Sequence, residues 1–141
     1  MMEHRFNIIN FMQQPMQYNQ EFDITVEVLQ DINISFSLLL KYREQTDTVG
    51  VQIDIMYTHQ EKRILTYSIL LTLHDDLWLD FLKTTPEKEQ ICEYALPWFR
   101  YTFDFMRGAL AVHAINTPVK QLFLPMINIE SIKPFIKLEK I

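Results

Sequence analysis

The densest run of side chains able to hold a metal or move a proton is His74-Asp75-Asp76-Leu77-Trp78-Leu79-Asp80. As a divalent-cation site it would offer Asp75, Asp76 and Asp80 together with His74. A dedicated calcium loop also needs a sharp turn of the kind glycine permits, and this run contains no glycine. Read structurally, the run ends an alternating segment and turns the chain toward helices, with Leu77, Trp78 and Phe81 as apolar anchors. That reading is preferred, and no metal ligand is assigned. The histidines His4, His59, His74 and His113 fall in different segments and form no ligand pair at strand or helix spacing. His113 continues a helical stripe begun by Phe99 and Leu110, which predicts a buried, hydrogen-bonded imidazole rather than a catalytic base. Cys92 lies near the same stripe and is expected to pack as a small hydrophobe, since no general base accompanies it. Arg100 and Arg107 flank Asp104, so an ion pair on one helix face accounts for them. No nucleophile elbow, phosphate loop, dinucleotide fingerprint or zinc spacing is present. The sequence therefore names no catalytic residue and no cofactor, and reads as a binding protein rather than an enzyme.

The elements that carry these residues are marked by periodicity. Four segments alternate with period two, as strands with one buried face do. They are Phe22-Ile24-Val26-Val28, Ile34-Phe36-Leu38-Leu40-Tyr42, Val49-Val51-Ile53-Ile55-Tyr57 and Leu65-Tyr67-Ile69-Leu71-Leu73. Residues 5–12 offer a further strand of less defined register. His59-Gln60-Glu61-Lys62-Arg63 has hairpin length without the usual Asn-Gly. Connections this short predict an antiparallel meander. Thr85-Pro86-Glu87-Lys88-Glu89 has the composition of a helix start. Pro97 is expected to end that first helix and open a longer one running to about Asn116, which Thr117-Pro118 stops. The tail from Gln121 reads as extended or irregular. The fold class is α+β, with an antiparallel sheet of four or slightly more strands followed by a short helix and a long C-terminal helix.

Composition sets the outer limits. At 141 residues the chain fits one domain, residues 1–141, able to hide about 70% of its unfolded surface. One cysteine excludes an internal disulfide and points to a reducing compartment, so a cytoplasmic location is expected. Charged residues interrupt every apolar run, so no membrane insertion is expected. A formal charge of −5 argues against nucleic acid.

The long helix is the most informative segment. At 100° per residue, Phe99, Phe103, Met106 and Leu110 form one stripe. Trp98, Tyr101, Phe105, Ala109 and Val112 form a second, nearly opposite. A helix lying on its own sheet needs only one apolar stripe. The second is either covered by the C-terminal tail or, as preferred here, buried against another copy of the chain. These five residues are thus the candidate oligomer interface.

Two short motifs and the order of elements resemble the SecB family of protein-export chaperones. Leu96-Pro97-Trp98-Phe99-Arg100, with Arg107-Gly108 beyond it, looks like the family's start of the long helix. Leu122-Phe123-Leu124-Pro125-Met126-Ile127-Asn128-Ile129 looks like its Leu-Pro segment. Element order agrees over about residues 5–132, leaving a tail at 133–141. The resemblance implies a homotetramer built as a dimer of dimers. It also implies a holdase for unfolded or partly folded polypeptide clients, with protein export as its setting. A dedicated chaperone for one partner, such as a toxin–antitoxin pair, is the alternative on the same fold. Flexible Met and flat aromatic side chains suit varied apolar clients, and the segment between the first and second strands would border the groove. This makes Met12, Met16, Tyr18 and Phe22 candidate client contacts, with Trp78 as a further one. The family docks the export motor SecA through acidic residues on its sheet. The matching places here, near Ile9 and Gln13, are not acidic, and the tail carries Lys133, Lys137 and Lys140 beside Glu139. SecA as a partner is therefore in doubt.

Overall fold

In the computed structural model, which describes residues 6–20, 24–120, 122 and 124–141, the alternating segments become strands of one mixed sheet. The elements are β1 (Phe6–Gln13), β2 (Gln17–Tyr18), α1 (Val26–Gln30), β3 (Asn33–Tyr42), β4 (Thr48–His59), β5 (Lys62–Asp75), α2 (Trp78–Leu82), α3 (Lys88–Ala114), α4 (Ile129–Ile132) and β6 (Ile136–Lys140). Strand order is β1-β5-β4-β3-β6, with β2 also on β5. The meander β3-β4-β5 is antiparallel, as its short connections require, and β1 joins β5 antiparallel. Val49, Val51, Ile53, Ile55 and Tyr57 of β4 are buried, as are Leu65, Tyr67, Ile69, Leu71 and Leu73 of β5. Phe99, Phe103, Met106 and Leu110 of α3 are buried in the same core. The architecture is α+β.

Three expectations are corrected. The segment from Phe22 to Val28 is not a strand where it is described. Val26 and Val28 belong to α1, whose cap Thr25 accepts a hydrogen bond from the Val28 amide at 3.3 Å. Phe22 lies outside the described residues. A strand needs a neighbour with free backbone groups, and a four-residue alternation loses to a local cap supported by Glu27 in the first turn. Second, Pro97 does not divide the long helix. α3 runs unbroken for 27 residues, about 40 Å, and starts not at Thr85 but at Glu87, which forms a capping box with Gln90. The proline withholds one amide from the helix. Ala95, Leu96, Trp98 and Phe99, all buried on either side of it, hold the two halves in line. The short helix ahead of the long one is α2. Third, the tail ends in β6, parallel to β3, with Ile136 opposite Leu38 and Leu138 opposite Leu40. Its Ile-Lys-Leu-Glu-Lys alternation extends the buried face by one strand.

Two bulges explain where register was hard to read. Pairing shifts between Ile8 and Asn10 in β1, so Ile9 is an extra residue that breaks the alternation. A second shift next to Tyr57 and Thr58 leaves Ile64 unpaired, and both Ile64 and Leu65 are buried. The β4–β5 hairpin turns on Gln60 and Glu61 alone, at φ 49° and 66°. A two-residue turn with both φ positive is the geometry Asn-Gly adopts without strain, whereas a side chain there costs about 1 kcal/mol. Gln60→Asn with Glu61→Gly is therefore expected to raise stability by about 1 kcal/mol and the melting temperature by about 3 °C. Thermal unfolding followed by circular dichroism measures this.

Candidate functional site

The second stripe of α3 divides. Trp98 is fully buried inside the protomer, with ring centroids 5.4 Å from Trp78 and 5.5 Å from Tyr94. Its expected place in an oligomer interface is corrected, because this cluster of large rings fills the end of the core. Tyr101, Phe105, Ala109 and Val112 do face outward, and β1 rather than the tail lies against them. Phe6 meets Tyr101 edge-on at 5.9 Å, and Phe11 meets Phe105 at 4.8 Å. The cover is partial: Tyr101 remains 40% exposed and Val112 70%. Beside them β1 itself presents Ile8, Ile9 and Phe11, all exposed. Together they make an apolar strip along β1 and α3, on the edge strand of the sheet.

At the lower end of this strip the chain turns from β1 into β2 and leaves a groove of about 460 Å³. Gln13, Gln14, Pro15, Met16 and Tyr18 form one wall, and His113 and Thr117 at the end of α3 form the other. Two predicted client contacts, Met16 and Tyr18, thus share one groove, each half-buried against the core. Met12 lies outside it, 62% exposed, and lines a neighbouring depression. Trp78 does not reach the surface at all. It is fully buried among Tyr42, Phe81, Tyr94 and Trp98, which corrects its assignment as a client contact. His113 is likewise corrected. It is exposed on the groove wall, with Nε2 3.2 Å from Gln13 Oε1. The same oxygen accepts the Tyr67 hydroxyl, so Gln13 ties β1, β5 and α3 together where the groove begins. Nothing in the sequence singles out Gln13, because a glutamine at a strand end has no pattern of its own.

The acidic run is taken apart by the fold. Asp75 turns inward, accepting the Leu77 amide at 2.9 Å and the Tyr94 hydroxyl at 3.2 Å. Burial first, and then the Asp75 charge and hydrogen bond, hold the Tyr94 phenol well above its ordinary value. Asp76 meets His74 at 2.8 Å on the surface, and Asp80 faces Lys83 at 3.9 Å. Asp47 accepts the Leu79 amide at 3.0 Å. Asp75 and Asp47 therefore cap the turn into α2, Asp76 and Asp80 pair at the surface, and the described carboxylates do not converge on a common point. Cys92 is buried and burial pushes its thiol up, against a smaller lowering by Lys88 and Lys133. Such a thiol is a poor nucleophile.

Arg107 has a role beyond the ion pair expected of it. It pairs with Asp104 at 2.8 Å, one turn earlier, and also donates to the Leu124 carbonyl at 3.0 Å and the Pro125 carbonyl at 3.1 Å. The long helix and the Leu-Pro segment, widely separated in sequence, are joined by this one guanidinium, which suits two carbonyls in fork geometry. Arg107→Ala is expected to cost about 2 kcal/mol, a fall of about 6 °C in melting temperature. Arg107→Lys should recover less than half of it, and thermal melts of both variants measure the difference.

No family model matches the chain, and no curated protein matches it in sequence. Among solved structures the fold is similar to that of a SecB-like chaperone from Mycobacterium tuberculosis, determined in complex with a ChAD peptide from the HigA1 antitoxin. The similarity covers 88% of each chain at 11% identity, with a TM-score of 0.45.

Proposed function

We propose that the protein is a non-enzymatic chaperone that holds unfolded or partly folded polypeptide in the groove walled by Met16, Tyr18 and His113. The observation that carries this reading is the neighbourhood of that groove. A flexible thioether, a flat phenol and two glutamine amides can adapt to many apolar and main-chain surfaces. The titratable groups near it form no nucleophile–base pair, since His113 engages Gln13 and Cys92 is buried elsewhere in the core.

In the same reading a second copy covers the strip of Ile9, Phe11, Tyr101, Phe105 and Val112. β1 is an eight-residue terminal strand of the sheet. An apolar strand edge that no described residue pairs invites association. A homo-oligomer built through this edge would bury the second stripe of α3, and a dimer of dimers is the proposed assembly.

Two measurements test the proposal. Purified protein should sediment as an oligomer, and Ile9→Lys with Val112→Glu should yield monomers with an unchanged far-ultraviolet spectrum; wild-type monomers at high concentration would remove the interface. At near-stoichiometric ratio the protein should suppress aggregation of several unrelated denatured substrates. Met16→Ser with Tyr18→Ala should lose that activity several-fold while keeping one cooperative thermal transition, lowered by the few degrees that trimming two half-buried side chains costs. No suppression with any substrate would discard the general holdase. Co-purification from cells then distinguishes a broad mixture of nascent chains from the single species that a dedicated chaperone carries.

A further inference from the structure

We propose that the face of the sheet turned away from α3 carries a separate docking site for an extended acidic polypeptide segment. This goes beyond the chaperone reading and does not depend on it, because it lies on the opposite side of the strands from the core that α3 covers. Two adjoining depressions of about 420 and 330 Å³ share Lys41 and Leu70 and so form one trough. It runs from Met12 on β1, across Leu70 on β5 and Gly50 on β4, to Lys41 on β3 and Arg43 just beyond.

Three steps between strands at about 4.8 Å each make a path of roughly 14 Å, the reach of four or five extended residues. The trough exists because residue 50 has no side chain. A Cβ there would stand 3.4 Å from Leu70 Cδ1 and 3.5 Å from Lys41 Cβ, so a larger side chain would project into the open space.

The charge of the lining identifies the occupant. In a chain of formal charge −5, the charged side chains that line the trough among the described residues are the cations Lys41 and Arg43, at the end where Ile141 also lies. Like several other surface cations, Lys41 and Arg43 make no ion pair among the described residues, and Glu139 stands across from Lys41 on β6. Two cations outside any ion pair, beside an apolar floor, favour a carboxylate-bearing strand whose apolar residue rests on Leu70. The strand backbones beneath are already paired, so recognition rests on side chains.

Fluorescence anisotropy with the full-length protein tests this. The probe is a fluorescein-labelled twelve-residue peptide of Glu, Leu and Ser, compared with its Lys-for-Glu counterpart. The acidic peptide should bind, weaken several-fold between low and moderate salt, and bind at least tenfold more weakly to Lys41→Gln with Arg43→Gln. The groove variant Met16→Ser with Tyr18→Ala should bind it as the wild type does. Equal binding of both peptides, or unchanged binding by a normally melting double variant, would overturn the proposal. Equally tight binding of single-stranded RNA at the same residues would also overturn it, leaving only a general anion patch. Should the double variant melt early, absence of any salt effect on the wild-type protein overturns it instead.

Discussion

A single helix laid across a single sheet is the contact from which the other features take their positions. Phe99, Phe103, Met106 and Leu110 of α3 are buried with the inward residues of β4 and β5, and no second layer of comparable size exists among the described residues. Burial of apolar side chains at about 1.5–3 kcal/mol each is enough to carry the proline through the middle of α3. It also fixes which way the rest of the helix faces. With one stripe committed to the sheet, Tyr101 and Val112 are turned outward by the 3.6-residue repeat whether or not anything covers them. The strip beside β1 is therefore a consequence of core packing, and any partner that covers it makes use of surface that the core has already placed there.

The ends of that contact are closed by polar devices with few members each. Asp75 and Asp47 take up amides at the turn into α2, while Gln13 gathers Tyr67 and His113 at the other end of α3. Arg107 does the same for the returning segment through the carbonyls of Leu124 and Pro125. At the turn into α2 and at the Leu-Pro segment a side chain substitutes for a missing backbone partner, which is what a buried or half-buried main chain requires.

Much of the fold was legible because burial on one face writes period two into β3, β4 and β5 and period 3.6 into α3. What escaped was local competition. Ile9 and Ile64 are single inserted residues that erase alternation for a step. Val26 and Val28 alternate like a strand but sit behind a threonine cap. Pro97 carries a strong breaking signal that tertiary packing overrides. The site was less legible than the fold. The chemistry of Met16 and Tyr18 suits an apolar groove and the two meet in one, whereas Trp78 and Trp98, whose chemistry and helical phase suit a surface equally well, are interior. An indole looks the same in sequence whether it faces solvent or another ring, and only the arrangement of Tyr42, Phe81 and Tyr94 around it settles the matter.

The two margins of the sheet are unlike. On one, β6 carries Lys137, Glu139 and Lys140 outward and is fastened by Lys140 to Glu44, so a like-minded strand meets charge and desolvation. On the other, β1 offers isoleucine and phenylalanine. A sheet with two adhesive margins can add copies without limit and grow into fibres. With only one, a pair related by a twofold axis consumes both available margins, and growth along the sheet stops there.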